Sequence, residues 1–387
     1  MSRVSSLFHS RATVAAFALA ALAACGKSNE KPFLPVVAKV GAEVKAISAE
    51  EAKTVCESNY CEDNQMYVAN FGRHRHDDPP PTAPSPVKPP SGVSPTSPPY
   101  AMPAQPSESM DYSRSILNVR TAWNLTEGSP TVVVAVIDSG VDYFHPDLAA
   151  NIVDRGYDFY HDRVGAYDDN GHGTHCSGII AAADNGIGIR GIAPKVKILP
   201  VKFLGPDGSG DTADAVKAID YAVEHGAKIL SNSWGGGGYS QLLDDAIQRA
   251  INSGVVFVAA AGNDGRDTDS TPNYPSGYSG VISVGSSDSI DARSSFSNYG
   301  TSSVEIFAPG TAIVSTYPGG TYRSLSGTSM ATPQVSGALA LAFSVNPSLT
   351  PAEAESDLCD TAAEKLTSVS KCGRMDVGAL VEKVSGR

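Results

Sequence analysis

The chain has 387 residues, 41% of them hydrophobic, and its formal net charge at pH 7 is -12. This length is sufficient for one large domain with accessory segments. The acidic balance argues against a nucleic-acid-binding protein, because such proteins normally carry a basic patch. Beyond the N-terminal region no apolar run is long enough for a membrane-spanning helix, so the sequence predicts no later span.

Residues 1–24 have the pattern of a signal peptide. Arg3 and Arg11 supply positive charge, and the apolar run that follows is too short for a membrane span. The run ends in Leu-Ala-Ala before Cys25, which resembles the signal of bacterial lipoproteins, in which this cysteine carries lipid and becomes the mature N-terminus. An ordinary signal peptide that is cut after Ala24 is the alternative. The sequence therefore predicts an exported protein, either bound to the cell envelope through lipid on Cys25 or released.

Residues 25–76 and 77–110 differ sharply in composition. In the first segment, Ser48 with an acidic residue three positions later is typical of a capped helix start, and Met66-Tyr67-Val68-Ala69 is typical of a strand. The second segment is dense in proline and serine and has few apolar residues, which indicates an extended linker. A catalytic-sized domain is predicted over residues 111–387.

The cysteines fit an exported chain, in which disulfides are permitted. Cys56 and Cys61 lie close enough in sequence to pair, and Cys359 and Cys372 flank a polar segment that a disulfide could close into a loop. Cys176 is left over. Spacing alone leaves this connectivity open.

Five continuous apolar runs predict strands that are buried on both faces, as in a parallel sheet. They are Thr131–Ile137, Ile198–Val201, Ala227–Leu230, Val255–Ala259 and Val281–Val284. Helical stretches lie between them, including Thr212–His225 and Tyr239–Asn252, and an apolar small-residue helix is predicted from Gln334 to Phe343. This alternation predicts an α/β domain with a doubly wound, mostly parallel sheet and helices on both faces.

Two motifs in the first half of this domain carry residues of catalytic type. Asp138, in Asp-Ser-Gly, follows the first predicted strand, and sites in such sheets form at the carboxyl ends of strands. His172 has a glycine on each side, which leaves room for another chain to approach its ring, as a general base requires. His172 and His175 are spaced like metal ligands, but no cysteine or carboxylate cluster lies nearby in sequence. We therefore favour a general base over a metal ligand.

Two further motifs each allow a structural and a catalytic interpretation. Asn263 follows a strand that ends in small residues, and it suits either a turn or an amide that donates to an oxyanion. Ser329, in Gly-Thr-Ser-Met-Ala-Thr-Pro, precedes the predicted helix and is either its N-cap or a nucleophile near the positive end of the helix dipole. A serine hydroxyl is a weak nucleophile until an adjacent base removes its proton.

Taken in this order, the motifs around Asp138, His172, Asn263 and Ser329 closely resemble those of the subtilisin-like serine proteases, over roughly residues 112–382. The resemblance implies that Ser329 is the nucleophile, that His172 is the general base, and that Asp138 orients the imidazole. It implies an oxyanion hole formed by Asn263 and the backbone N–H of Ser329. The implied activity is hydrolysis of peptide bonds through an acyl-enzyme intermediate.

The resemblance also implies a substrate groove. Gly208-Ser209-Gly210 and Ser233-Trp234-Gly235 match the two segments between which these proteases hold an extended peptide as an added strand. Ala260-Ala261-Gly262 would form the wall of the pocket for the residue before the scissile bond, and Asn273 would lie near its floor. With Asp264 near the rim, we expect a medium-sized uncharged residue in this pocket.

A structural calcium ion is implied as well. Asp147 lies nine residues after the predicted catalytic aspartate, and Asn185 lies at the family's spacing after the predicted catalytic histidine. Their side-chain oxygens and the carbonyls of Ala183, Ile187 and Ile189 would form the mixed oxygen shell that calcium favours. A plain turn with Asp147 as a helix cap is the alternative. No catalytic cofactor is expected.

In this family a small domain before the protease assists folding and is then removed, and residues 40–72 weakly resemble the last helix and strand of such a domain. We therefore expect residues 25–76 to include a pro-region or its remnant, and cutting within residues 72–110. The chain departs from the family pattern at Gln334, where histidine is common, and at Cys176, where a small aliphatic residue is common. Both positions lie outside the triad.

Two other functions compete with a protease. A catalytically weak, peptide-binding envelope lipoprotein could use the same fold, although every catalytic position is filled. An esterase would carry Gly-x-Ser-x-Gly after a strand, and the residues around Ser329 lack that frame. The predicted protein is a monomer that acts on protein or peptide substrates and binds no nucleic acid.

Overall fold

The computed structural model describes residues 34–41, 43–56, 59–69 and 112–386. The predicted signal peptide, Cys25 and the proline-rich linker lie outside these residues. Among the helices of the described ranges, none combines the length and the apolar character that crossing a membrane would take.

Strands and helices alternate through most of the described chain. The strands are β1 Val36–Val40, β2 Glu43–Ile47, β3 Tyr60–Asp63, β4 Met66–Ala69, β5 Val133–Asp138, β6 Tyr157–Asp158, β7 Arg163–Val164, β8 Lys197–Lys202, β9 Ser209–Asp211, β10 Ile229–Asn232, β11 Trp234–Gly235, β12 Val256–Ala260, β13 Ile282–Ser287, β14 Ile306–Pro309, β15 Ile313–Tyr317 and β16 Thr321–Leu325. The helices are α1 Ala49–Val55, α2 Tyr112–Ile116, α3 Val119–Trp123, α4 His172–Ala181, α5 Thr212–Glu224, α6 Gln241–Asn252, α7 Thr328–Val345, α8 Pro351–Asp360 and α9 Val377–Ser385.

The central sheet has eight strands in the order β14-β13-β12-β10-β5-β8-β6-β7. All neighbouring strands are parallel except β6 and β7, which form an antiparallel pair at one edge. Successive residues of β5 face opposite sides, because side chains alternate along a strand. Val134 and Val136 pack into a core with α4 and α7, whereas Ala135 and Ile137 pack into a second core with α5 and α6. This doubly wound arrangement confirms the predicted fold class.

The strand predictions agree with β5, β8, β10, β12 and β13 to within a few residues, but β6, β7 and β14 of the same sheet were not predicted and the start of α7 was misplaced. Strand β14 was missed, because Ile306–Pro309 is short and ends in a proline that is typical of sheet edges. Helix α7 begins at Thr328 and not at Gln334, so that Pro333 lies inside it. A proline removes one helical N–H and usually marks a helix start, which explains the misplaced boundary.

Residues 34–69 pack against the peptidase domain, within one compact unit that begins at Leu34. Strands β1, β2 and β3 make an antiparallel sheet in the order β2-β1-β3. Helix α1 begins at the capping box of Ser48 and Glu51, and a disulfide between Cys56 and Cys61 joins its C-terminal end to β3. A second disulfide joins Cys359 to Cys372 in the larger domain.

Candidate active site

Asp138 and His172 meet where β5 ends and α4 begins, and both side chains are fully buried. The Nδ1 atom of His172 lies 2.8 Å and 2.9 Å from the two carboxylate oxygens of Asp138. Because a carboxylate only accepts, this contact assigns the ring proton to Nδ1 and leaves the lone pair on Nε2. The imidazole therefore has the tautomer that a general base requires.

Ser329 is the second residue of α7, and the N-cap is Gly327. The interpretation of Ser329 as a helix cap is therefore wrong. Its Oγ donates to the carbonyl of Ser233 at 3.0 Å. The carbonyl of Ser329 accepts from Ser233 Oγ at 3.0 Å, since Pro333, four residues later, has no N–H to offer it.

Cys176 links the two halves of this site. Its thiol donates to the carbonyl of Ser329 at 3.5 Å, and its sulfur lies within 4.8 Å of side-chain atoms of both Asp138 and His172. The structure thus brings together the three residues predicted to form the triad. Burial, and then the charge of Asp138, raise the pKa of the Cys176 thiol well above its ordinary value, so the thiol is not a competing nucleophile.

His175 belongs to the support of the site. Its Nε2 lies 3.1 Å from the carbonyl oxygen of Ile313 and 3.0 Å from that of Arg323, at both strands of the β15–β16 hairpin. Burial lowers the pKa of His175 to about 3, so the ring is neutral and Nε2 donates to these carbonyls. The two histidines therefore face different partners and do not form a metal pair.

Asn263 lies beside the start of α7. Its Oδ1 accepts from the backbone N–H of Thr328 at 2.9 Å and from the Thr328 hydroxyl at 3.1 Å. Two donors on one side of the amide fix its orientation, so Nδ2 points the other way. Nδ2 is buried and has no hydrogen-bond partner among the described residues. Because Asn263 is hydrogen-bonded to Thr328, the residue before Ser329, its buried and unpaired N–H donor suits an oxyanion hole.

The two predicted substrate segments enclose a strand of the chain itself. Strand β4 lies between β9 and β11 and is antiparallel to both. Val68 pairs with Ser209 on one side and with Gly235 on the other, and Ala69 donates to the carbonyl of Gly208 at 2.9 Å. Gly210 is opposite Tyr67, and Trp234 is opposite Ala69. An extended peptide therefore fits this groove as the central strand of three.

Tyr67 anchors β4 in the groove. The side chain is fully buried, and its ring meets the indole of Trp234 edge to face, with ring centroids 5.2 Å apart. A side-chain carbon at Gly237 would lie 2.4 Å from the Tyr67 ring, so only glycine leaves room for it there. The sequence identified Met66–Ala69 as a strand but gave no signal for this contact.

The predicted pocket wall follows β12. Ala260, Ala261 and Gly262 are buried, and Gly262 has a φ of 101°, a conformation that favours glycine. A side-chain carbon on Gly262 would lie 3.3 Å from Asn273, so Asn273 lies next to this segment. Sequence reasoning missed Arg266. Its guanidinium lies 3.4 Å from Asn273 Oδ1 and 3.7 Å from a carboxylate oxygen of Asp264, whose negative charge it partly offsets.

The predicted calcium ligands Asp147 and Asn185 are neighbours. The Asp147 carboxylate is 3.2 Å from Asn185 Nδ2, and it also accepts from the Ile189 N–H at 2.9 Å and the Tyr322 hydroxyl at 2.8 Å. Burial raises the pKa of Asp147, and these hydrogen bonds act against the rise. Among the described residues no cationic side chain pairs with Asp147. Sequence reasoning missed Tyr322.

The rest of this loop is closed by its own backbone. Asn185 donates from its backbone N–H to the carbonyl of Ala183 at 3.0 Å, and its Oδ1 accepts from the Ile187 N–H at 3.1 Å. Gly186 and Gly188 both have positive φ, which lets the loop curl around the carboxylate. The residues fit a hard cation, because a buried carboxylate without a cationic partner lies inside a loop rich in oxygen donors.

Comparison with known proteins gives one consistent family. The sequence model of the subtilase family matches residues 129–374. Thermitase of Thermoactinomyces vulgaris is 46% identical over 234 residues, which are 60% of this chain and 82% of thermitase. The thermophilic serine proteinase of Bacillus sp. (strain AK1) is 47% identical over 221 residues, 57% of this chain and 54% of that protein. Subtilisin E of Bacillus subtilis (strain 168) is 40% identical over 257 residues, 66% of this chain and 67% of subtilisin E. The chain belongs to the subtilase family and is a subtilisin-like serine endopeptidase.

Proposed function

We propose that the endopeptidase cleaves peptide bonds with Ser329 as nucleophile, His172 as general base and Asp138 as the group that orients the imidazole. The observation that carries this assignment is the double contact of His172 Nδ1 with both oxygens of a buried Asp138. This contact directs the basic Nε2 away from Asp138. It also stabilises the imidazolium that forms when the serine proton is taken up.

The reaction proceeds in two halves. Ser329 Oγ loses its proton to His172 Nε2 and attacks the carbonyl carbon of the scissile bond. Negative charge develops on the carbonyl oxygen, where the free Nδ2 of Asn263 and the backbone N–H of Ser329 donate to it. His172 then protonates the leaving amine, and an acyl group stays on Ser329. A water molecule, activated by His172 in the same way, releases the second product.

The test compares wild type with Ser329→Ala on a protein substrate such as casein, together with a fluorophosphonate probe of serine nucleophiles. We expect the variant to lose several orders of magnitude in kcat, to bind no probe, and to keep the wild-type circular dichroism. Normal proteolysis by the folded variant would refute the role of Ser329. A wild-type protein that binds peptides but neither cleaves casein nor reacts with the probe would favour the peptide-binding lipoprotein.

We propose that residues 34–69 are part of a pro-segment that occupies the substrate groove until it is cut. Strand β4 has the hydrogen-bonding pattern expected of a bound substrate, and Ala69 lies opposite Trp234. Ser233 directly precedes β11, and its carbonyl accepts from Ser329 Oγ. This register favours a cut within the first residues beyond Ala69, at or slightly before the region expected from sequence. Sequencing the N-terminus of the mature enzyme tests the position.

A structural calcium ion at Asp147 is proposed from the same family resemblance. Asp147 and Asn185 would supply side-chain oxygens, and Ala183, Ile187 and Ile189 would supply carbonyls. The ion would supply positive charge that neutralises the buried carboxylate and would have no part in the reaction. To bind it, the Asn185 amide must turn, because its Nδ2 now faces Asp147. Turning this amide also breaks the hydrogen bond from the Ile187 N–H to Asn185 Oδ1.

Export, with lipid on Cys25 as the anchor, remains our proposal for the location of the full chain, and we propose that the enzyme is a monomer. A cut after Ala69 would separate the peptidase domain from Cys25 and release it. Metabolic labelling with palmitate and fractionation would separate the cases. Equal label on wild-type and Cys25→Ser chains would exclude lipidation at that residue.

A further inference from the structure

Asp168 is a buried carboxylate outside the triad, and it lies where the segments that carry Asp138 and His172 meet. Asp168 is fully buried and accepts five hydrogen bonds. One comes from the Ser139 hydroxyl at 2.9 Å, and two come from the backbone N–H groups of Asn170 and Gly171, at 3.0 Å and 2.8 Å. Thr174 donates the other two, from its N–H at 2.9 Å and its hydroxyl at 2.6 Å.

These partners lie on both sides of His172 in the first turn of α4. Gly171 precedes His172 directly, and Thr174 follows it by two residues, so the carboxylate holds the backbone before and after the imidazole. An anion at this end of a helix also interacts favourably with the free N–H groups and with the helix dipole. Helix α4 has no side-chain cap on its N-cap residue Gly171, which leaves this task to Asp168.

Ser139 connects the same carboxylate to Asp138. Its N–H donates to Asp138 Oδ1 at 2.7 Å, and its hydroxyl donates to Asp168 while accepting from the N–H of Gly173 at 2.9 Å. Its carbonyl accepts from the buried ammonium of Lys202 at 2.9 Å. Every polar group of Ser139 therefore makes a hydrogen bond, and the residue cannot shift without breaking a contact to Asp138 or to Asp168.

The hydrogen-bond pattern assigns the charge of Asp168. The Ser139 and Thr174 hydroxyls each accept an N–H, from Gly173 and from Asp142 at 2.9 Å, so their own protons point to Asp168. All five neighbours of the carboxylate are donors, and a proton on Asp168 would find no acceptor among them. Burial raises the pKa of Asp168, while the bonds from Thr174 and Gly171 and the charge of Lys202 act against the rise. The ionised form is the one that fits the site.

We propose that Asp168 is a positioning residue for the proteolytic reaction, which fixes His172 against Asp138 through Ser139 and the first turn of α4. This inference rests on the proposed roles of Asp138 and His172. The Asp168 carboxylate adds a second negative charge near the imidazole, and this charge favours the imidazolium that forms during the reaction. Its loss should therefore lower kcat with little change in KM.

Several charged or titratable groups face His172 and Asp168, and a pH profile must be read against all of them. They are Asp138 from β5, His175 and Cys176 from α4, Lys202 from β8 with its partner Asp169, and Tyr317 from β15. Asp168→Asn keeps all of these groups and removes one negative charge, that of Asp168. Removal of a negative charge disfavours the imidazolium, so the acidic limb of the kcat/KM profile should move to lower pH.

The experiment measures kcat and KM of the mature enzyme on a peptide substrate from pH 5 to 9. For Asp168→Asn we expect kcat to fall by about tenfold or more, KM to stay within about twofold, and the acidic limb to move down by roughly half a pH unit or more. A kcat within twofold of wild type and an unmoved limb would overturn the proposal. His172→Ala is the control for the triad assignment, and we expect it to be inactive. Full activity of His172→Ala would refute the triad assignment and, with it, the positioning role of Asp168.

A matched pair keeps the test decisive if Asp168→Asn does not fold. Thr174→Val removes the shortest hydrogen bond to Asp168 and keeps the charge, whereas Thr174→Ser keeps both. We expect Thr174→Val to lower kcat several-fold without moving the limb, and Thr174→Ser to behave as wild type. Equal kcat values for the two variants would overturn the proposal.

Asp269→Asn controls for loss of stability alone. Asp269 resembles Asp168 in its hydrogen bonding only: its carboxylate accepts from the backbone or hydroxyls of Thr301, Ser302 and Ser303, but it is exposed and lies on a loop far along the chain from His172. We expect this variant to lower the thermal midpoint and to leave kcat and the acidic limb unchanged. The same kcat loss and limb shift in Asp269→Asn would show that the effect of Asp168→Asn is general destabilisation.

Discussion

Residues 34–69 and residues 112–386 are stabilised by different means. The larger region surrounds a parallel sheet with two apolar cores, and the inner strands are buried throughout. In the smaller region helix α1 has no buried residue, and the buried apolar side chains of its described part are Val37, Ala38, Ile47 and Tyr67. A unit of this size buries too little apolar surface to be stable alone. Its order therefore depends on contacts with the larger region.

Those contacts combine a domain interface with a ligand-like strand, because Val37 and Tyr67 are members of the second apolar core. Strand β4 enters the groove as a substrate would, and Tyr67 is buried there against Trp234. The Glu62 carboxylate accepts from the hydroxyl of Ser240 and from the N–H of Gln241 at 3.0 Å, at the start of α6. A negative charge at a helix N-terminus is favourable. The smaller region is therefore held both by a strand in the groove and by side chains that complete the second core, and Tyr67 takes part in both.

The largest effect should follow from Tyr67→Ala, made in the Ser329→Ala chain so that no cut occurs. Truncation of a buried aromatic side chain costs about 3 kcal/mol, and this raises the open fraction of the groove about a hundredfold. Hydrogen exchange of the β4 amides measures this opening. We expect their protection to fall by about that factor, while the central sheet keeps its protection.

Val68→Ala is the matched control for this prediction. Val68 is the next residue of the same strand and is 49% exposed, so its truncation should change protection only slightly. Equal losses for Val68→Ala and Tyr67→Ala would contradict the anchoring role of Tyr67. Loss of protection in β5 as well would contradict the separation of the two regions.

The catalytic motifs could be predicted because each is a short continuous sequence whose residue types indicate their chemistry. Asp138, His172, Asn263 and Ser329 are identified in this way, and the strand Met66–Ala69 also follows from its pattern. The role of Asp168 could not be predicted, because it depends on Ser139, which is 29 residues away in sequence. Among neighbouring acidic residues only the fold shows which one is buried against the triad.

Other features depended on contacts that no local pattern carries. Arg266 is an ordinary surface cation by sequence, and its place beside Asn273 requires the loop to fold back. The start of α7 was misplaced because Pro333 is a helix-start signal, whereas the hydroxyl of Ser233, between β10 and β11, compensates for the missing N–H. Both cases are tertiary contacts that override a local preference.

A smaller effect is expected from calcium, and it should act on the larger region alone. At a free concentration one hundred times Kd, calcium would stabilise the folded state by about 2.7 kcal/mol, which raises the thermal midpoint by roughly 5–10 °C. The measurement is thermal unfolding of the Ser329→Ala chain in calcium and in chelator. Asp147→Asn should remove the difference, and Asp154→Asn, on an exposed carboxylate, should keep it. Identical midpoints of the Ser329→Ala chain in calcium and in chelator, with Asp147 intact, would exclude a structurally important site at Asp147.

The smallest effect should come from the Cys56–Cys61 disulfide, and the two disulfides should act on different regions. Loss of Cys56–Cys61, with a sequence separation of 5, is expected to cost about 2 kcal/mol, because a short loop gains little entropy on opening. Cys56→Ser with Cys61→Ser should lower exchange protection in β1–β3 and leave the thermal midpoint of the larger region unchanged. Cys359→Ser with Cys372→Ser, at a separation of 13, should do the reverse. If the Cys56 and Cys61 pair of substitutions lowered the midpoint of the larger region as much as the Cys359 and Cys372 pair, the two regions would unfold as one cooperative unit, and the difference between them would lie in composition alone.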